Sequence, residues 1–225
     1  MKAMQMLARL HKATLSEEEL PGFGNACMVS QEFEKHNKEL RRVRKFLKEK
    51  SQKNDFEIYL MQCFDYFFNV AMQTLKEYQS LADRKELNRR GYVCHGEFQH
   101  HNIIFSGNDI CIINFEKCVK DSPVRDIYLF MRKLMEKNNW QQETAFLLLE
   151  AYETINPLEK EDYESLYYRF AYPEKFWKIV NFYYNSGKSW IPGKNLEKLI
   201  RIKEQEKEKT DFLETFKQKY GILSV

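Results

Sequence analysis

The sequence predicts a mainly α, α+β fold in which a short β-hairpin is carried on one face of a helical bundle. Three observations lead there. The chain has 225 residues, enough to bury one substantial core, and nothing in its composition demands a second. Glycine and proline are scarce, at 8 and 5 copies, and the long segments between them repeat apolar residues at helical spacing. Only between Gly91 and Glu116 does the period shorten to strand-like runs. A single domain over residues 1–225 is therefore expected.

In order along the chain, Ala3 to Ala13 sets Met4, Leu7, Ala8 and Leu10 near one side of a short helix ending at His11-Lys12. Leu20-Pro21-Gly22-Phe23-Gly24-Asn25 follows as a turn; it lacks the third glycine and strand context of a phosphate cradle. From Gln31 to about Lys50, Phe33, Leu40, Val43, Phe46 and Leu47 recur among Lys38, Arg41, Arg42, Arg44, Lys45 and Lys48. This predicts a helix with a core stripe and a solvated face, because Glu34, Glu39 and Glu49 interrupt the positive field. Asp55 to about Leu81 carries an apolar face too wide for a surface helix and should be buried centrally.

Tyr92-Val93-Cys94, Ile103-Ile104-Phe105 and Ile110-Cys111-Ile112-Ile113 are the β-type runs, the last two joined by the turn Ser106-Gly107-Asn108-Asp109. Helices are expected again over Asp126–Lys137, Gln141–Ile155, Lys160–Phe170, Pro173–Tyr184 and Lys194 to about Tyr220, with Pro123, Pro157, Pro173 and Pro192 near their boundaries. The run Glu204-Gln205-Glu206-Lys207-Glu208-Lys209 is expected on an exposed face of the last helix.

Composition narrows the function classes. Aromatics at 15% and hydrophobic residues at 43% exclude a disordered or fibrous chain. Lys plus Arg number 36 against 33 Asp plus Glu, so charge alone does not argue for nucleic acid. The 5 cysteines are odd in number and contain no CxxC pair, which argues against a disulfide framework or structural zinc and for a reducing, cytoplasmic setting. Cys94, Cys111 and Cys118 are expected to act as small apolar fillers. No signal-peptide core follows Met1, and no apolar run has membrane-spanning length.

The chemistry-bearing stretch is His95-Gly96-Glu97-Phe98-Gln99-His100-His101-Asn102, with Ile112-Ile113-Asn114-Phe115-Glu116 downstream. In phosphotransferases of the kinase type, a catalytic-loop Asp accepts the substrate hydroxyl proton, an Asn five positions on binds metal, and a later Asp holds magnesium on the nucleotide phosphates. Here those positions carry Glu97, Asn102 and Asn114. His100 and His101 with His95 and Cys94 make a poor transition-metal site, since adjacent loop histidines seldom face one ion.

These motifs resemble the aminoglycoside phosphotransferase and choline kinase-like superfamily. Within it, the chain resembles the CotS-type spore coat kinase-like proteins. That narrower resemblance rests on the His-His-Asn loop variant, on Ser122-Pro123-Val124-Arg125-Asp126, and on Ala171-Tyr172-Pro173-Glu174-Lys175-Phe176-Trp177-Lys178 with Tyr183-Tyr184-Asn185-Ser186-Gly187-Lys188-Ser189-Trp190. It covers essentially the whole chain and implies the C-terminal lobe of a kinase-like fold. The family's nucleotide-covering N-lobe is expected to be absent from this chain, which begins in a helix that resembles the first one after the hinge, at Leu7-Ala8-Arg9-Leu10-His11-Lys12-Ala13.

The resemblance also implies residue roles. His95 becomes a structural residue beneath the loop, and Asp126 the buried carboxylate that hydrogen-bonds the loop backbone. Asn102 either ties the loop or binds metal. Asn102, Asn114 and Glu116 mark a vestigial magnesium site, with Glu116 beside Asn114 only if the strand continues. Glu97 keeps a carboxylate but shifts its oxygens by about 1 Å, a displacement that can cost on the order of 100-fold in rate. Asn114 is the graver change, because magnesium prefers carboxylates.

The function expected is a catalytically impaired kinase-like protein with a structural or assembly role in the spore coat. It would be made in the mother-cell cytoplasm and use other coat proteins as partners, with no nucleic acid, membrane or cofactor. Self-association through a lobe–lobe surface near residues 1 to 30 is a further expectation. The alternative is an ATP- and magnesium-dependent small-molecule phosphotransferase. In it Glu97 would be the base, Asn102 a metal ligand and Glu116 a substitute ligand, beneath an N-lobe supplied from elsewhere.

Overall fold

The computed structural model describes residues 1–15, 27–84, 91–107, 109–185 and 192–222. Residues 20–25, Asn108 of the expected hairpin turn, and residues 186–190 lie outside them. The described residues are mainly helical, as the periodicity predicts, and form two small antiparallel sheets. It divides into two compact units, one made of Met1–Ala26, Glu86–Phe170 and Asp211–Ser224, the other of Cys27–Lys85, Ala171–Thr210 and Val225.

In the first unit, helix α1 (Lys2–Thr14) buries Met4, Leu7, Ala8 and His11, the i, i+3, i+4, i+7 positions of one face. It packs on strand β1 (Tyr92–Cys94) and on helix α5 (Gln142–Glu153). Strand β1 pairs antiparallel with β4 (Val119–Asp121), whose short polar sequence Val-Lys-Asp gives no alternation to announce it. The predicted hairpin forms from β2 (Ile103–Ser106) and β3 (Asp109–Ile112), with Ile103 opposite Ile112. Helix α4 (Val124–Lys137) starts after Pro123 and buries Ile127, Met131 and Met135. With Phe170, Phe212 and Phe216 these side chains fill one core. Burial of each large apolar side chain is worth about 1.5–3 kcal/mol.

The second unit is helical. Helix α2 (Val29–Glu49) packs on α3 (Asp55–Arg84) and on α7 (Glu174–Asn185), and α8 (Pro192–Glu204) packs on both α3 and α7. The start of α3 is fixed by a reciprocal cap: the Glu57 N–H donates to Asn54 Oδ1 at 3.0 Å and the Asn54 N–H donates to Glu57 Oε2 at 3.1 Å. Glu57 is buried and also receives the Lys50 ammonium at 2.7 Å. Between α2 and α7, His36 stacks on Trp177 with ring centroids 3.4 Å apart. Phe33 likewise stacks on Tyr172, and the Tyr172 hydroxyl donates to Asn37 Oδ1 at 2.8 Å.

Three expectations change. The last helix is two, α8 and α9 (Glu206–Lys219), interrupted at Gln205. The mixed-charge run at that break is not simply an exposed face: Gln205 and Lys209 are buried, and the Lys209 ammonium donates to the Ala171 carbonyl at 3.3 Å. A charge count cannot reveal this, because a long lysine stem covers apolar surface while its head finds a carbonyl. Of the three cysteines expected to be fillers, Cys94 is buried, Cys118 half-buried and Cys111 exposed, on the open face of the two-stranded hairpin.

Burial is the main force lowering the His36 pKa from 6.5; Glu174, with Oε2 3.5 Å from Nδ1, acts in the opposite direction. A lowered folded value means that the unfolded chain binds the proton more readily. The stability His36 supplies is therefore complete above 6.5 and is lost as pH falls through the lower folded value. Denaturant titrations between about pH 7.5 and pH 5 should show stability falling on acidification. The slope should be shallower in His36→Phe, which keeps an aromatic ring against Trp177.

Candidate functional site

The residues singled out by the sequence meet in the first unit, around the carboxylate of Asp126. Asp126 sits in the first turn of α4, is fully buried, and faces the loop that leaves β1. Its Oδ2 accepts the His95 N–H at 2.5 Å and its Oδ1 accepts the Gly96 N–H at 2.9 Å. His11 Nε2 approaches the same Oδ2 at 3.2 Å, while His11 Nδ1 lies 2.8 Å from the Tyr152 hydroxyl. Asn156 Nδ2 donates to that hydroxyl at 2.8 Å. These partners define an ordered relay in which Asn156 donates to Tyr152, Tyr152 to His11 and His11 to Asp126. Burial pushes the Tyr152 phenol well up, so it stays a neutral donor.

Gly96 makes the loop possible in two ways. Its φ is +78°, in the region that favours glycine. A Cβ at this position would meet the Lys117 carbonyl oxygen at 2.1 Å. The imidazole of His95 lies beneath, buried, with Nδ1 accepting the Glu97 N–H at 3.1 Å and Nε2 against the Ile113 carbonyl at 2.8 Å. Those partners place its proton on Nε2. Phe115 covers the ring at 4.8 Å between centroids. His95 is thus a two-sided clip joining the loop to the segment after β3.

Asn102 ends a short 3-10 turn, His100–Asn102, and is buried. Its Nδ2 donates to the Glu97 carbonyl at 2.9 Å, and its Oδ1 accepts from Asn114 Nδ2 at 2.9 Å. Asn114 adopts φ +65°, a left-handed conformation that asparagine tolerates better than most residues. Two of the three positions expected as a vestigial magnesium site, Asn102 and Asn114, thus carry neutral amides bonded to each other. The Glu97 carboxylate is bound by the Lys117 ammonium, and that hydrogen bond holds its carboxyl below the usual carboxylate range. Glu116 does not lie on a continued strand. β3 ends at Ile112, and the Cys118 N–H closes a turn onto the Phe115 carbonyl at 3.1 Å, leaving Glu116 exposed.

Sequence reasoning did not assign roles to His11, Tyr152, Asn156 or Lys117. His11 had a usable signal: it continues the stripe of Met4, Leu7 and Ala8, and a polar residue on a buried face needs a partner. Lys117 had none, being in an irregular turn. His100 and His101 lie against each other, with ring centroids 3.8 Å apart and planes tilted by 38°. Among the described residues, the group spaced as metal ligands is instead buried His11, Cys94 and Asp126, with ligand atoms within 4.8 Å of one another. Each is committed to a hydrogen bond, Cys94 donating to the Ser122 carbonyl at 3.1 Å. Burial first, then Asp126 and Asp121, push its thiol well up, which keeps it a donor.

This geometry sets two expectations for thermal and chemical denaturation. Gly96→Ala carries about 1–3 kcal/mol of backbone strain before its clash with the Lys117 carbonyl is counted, and should lower the melting temperature by at least about 4 °C. Asp126→Asn forces an NH2 group against one of the donors and should cost about 3 kcal/mol. A variant with unchanged stability would show that the corresponding contact does not hold the loop.

Comparison with known proteins places this site in a family. The model of the family described as "Spore coat putative kinase YutH" matches residues 2–216. Spore coat protein S of Bacillus subtilis (strain 168) is 26% identical over 152 residues, 67% of this chain and 43% of that protein. The endospore coat-associated protein YutH of the same organism is 28% identical over 139 residues, 60% of this chain and 40% of that protein. The chain thus spans less than half the length of these curated relatives. Among solved structures, an aminoglycoside phosphotransferase from Alicyclobacillus acidocaldarius superposes with a TM-score of 0.84 at 19% identity, covering 98% of this chain and 66% of that one. A spectinomycin phosphotransferase gives 0.58 at 15% identity, covering 90% and 60%. The fold is that of the aminoglycoside phosphotransferases, and the chain belongs to the YutH family of spore coat kinase-like proteins.

Proposed function

We propose that this protein is a catalytically impaired member of its family that works as a structural or assembly component of the spore coat, alongside other coat proteins. The observation that carries this reading is the amide pair. Of the two metal-binding positions of the kinase-type pattern, Asn102 keeps the pattern's Asn and Asn114 replaces its Asp, and the two bond to each other at 2.9 Å. Neither brings a negative charge, and Asn102 Oδ1 already accepts a hydrogen bond. Magnesium demands near-ideal geometry and is bound through carboxylates and phosphates, so this donor set does not suit it. Charge stabilisation is usually the largest contribution to such catalysis, and its loss weighs more than a displaced base.

Glu97 supports the same reading. A general base works best with a pKa near the operating pH, and the Lys117 ammonium moves this carboxyl the other way. What persists is the scaffold: Asp126, His95 and Gly96 still shape the loop. Coat location follows from the coat proteins it resembles, B. subtilis spore coat protein S and YutH.

Titration of the protein, at its full natural length, with ATP in the presence and absence of magnesium tests this directly. No magnesium-dependent rise in melting temperature is expected, whereas a nucleotide at 100 times its Kd would add about 2.7 kcal/mol. In sporulating cells, Glu97→Ala combined with Asn114→Ala should leave incorporation into the coat unchanged. Magnesium-dependent ATP stabilisation, or loss of coat incorporation in the folded double variant, would favour the phosphotransferase alternative.

A further inference from the structure

We propose that the outward face of α2 is a docking surface for an acidic helical segment of a protein partner. The sequence mixes acids and bases along this helix, but the fold sorts them. Glu34 accepts from Gln79 Nε2 of α3 at 2.7 Å, and Glu39 accepts from Trp177 Nε1 of α7 at 2.7 Å. Arg44 turns to Asp65 of α3 at 2.7 Å. Lys35, Lys38, Arg41, Arg42, Lys45 and Lys48 remain exposed, on the side opposite buried Phe33, Leu40, Val43 and Leu47. Glu49 is the exposed acid at the end of the row, 3.9 Å from Lys45, a pairing too solvated to neutralise it.

The spacing identifies the kind of partner. Positions 35, 38, 42 and 45 advance by three, four and three residues, the step of a helix–helix seam, with Arg41 and Lys48 flanking it. The row extends about 20 Å at 1.5 Å per residue. A second helix with Glu or Asp at the same steps would meet a cation at every turn. A lipid surface fits less well, because a membrane-lying helix needs an apolar face beside its cations. Here the exposed apolar residue is Phe46, which sits edge-on to Tyr184 at 5.6 Å. Single-stranded nucleic acid would call for a series of aromatic platforms between the cations, whereas this helix exposes one aromatic, Phe46, already set against Tyr184. The surface does not depend on whether the phosphotransferase-like loop binds nucleotide.

Fluorescence anisotropy with a labelled helical peptide carrying Glu at alternating three- and four-residue steps tests the proposal. The comparison is between the protein, Lys38→Glu/Arg42→Glu/Lys45→Glu on the stripe, and Lys2→Glu/Lys12→Glu/Lys160→Glu elsewhere. The two triple variants carry the same charge change, and all six positions are exposed. The stripe variant should bind at least tenfold more weakly, the control within about threefold of the parent, with affinity falling steeply between low and physiological salt. Circular dichroism should show both folded. The proposal is overturned if the peptide does not bind, if both variants lose binding equally, or if a composition-matched scrambled peptide binds as tightly. Tighter stripe-dependent binding of duplex DNA or phosphatidylglycerol vesicles would also overturn it, by identifying a different partner.

Discussion

The buried Asp126 carboxylate is the contact on which the loop depends. A charge removed from water is tolerated only when its lone pairs are filled, and here two loop N–H groups and His11 fill them. The arrangement works in both directions. The loop N–H groups would themselves be orphaned beside α4 without the carboxylate, and the left-handed conformation at Gly96 aims its N–H at Oδ1. Asp126 in turn couples three separate stretches of chain, the end of α1, the exit of β1 and the start of α4, into one rigid corner. Tyr152 and Asn156 extend that corner to the end of α5.

On this corner the loop keeps its shape independently of its chemistry. His95 and Asn102 bond mainly to backbone carbonyls and amides, so their contacts stabilise a path rather than a ligand. The Asn102–Asn114 pair completes this self-satisfaction: the Asn114 NH2 group donates to Asn102 Oδ1, and the Asn102 NH2 group donates to the Glu97 carbonyl. Two neutral amides meet here without needing a cation between them.

The second unit shows the same economy with charge. Glu34 and Glu39 are used to bind α3 and α7, and Glu57 both caps α3 and holds Lys50. The consequence is electrostatic asymmetry. A helix whose formal charges are mixed presents mostly cations to solvent, because Glu34 and Glu39 are turned toward their neighbours and Glu49 stands at its end.

Much was legible in the sequence. Helical spacing located most of the helices, alternation found the β2–β3 hairpin, and the loop motif gave the ancestry that family comparison shows. Short-range physics accounts for this: periodicity and breakers act over a few residues. The break at Gln205, the β4 partner of β1 and the burial of Lys209 were not legible, since each is decided by a distant surface. The same holds at the site. Residue types alone identified Glu97 and Asn114 as departures from a catalytic pattern whose Asn is kept as Asn102. Only the tertiary structure decided that the two amides face each other, that Lys117 holds Glu97, and that His11 joins Asp126 across 115 positions of chain. Hydrogen-bond partners are chosen by proximity in space, which the order of residues along a chain does not record.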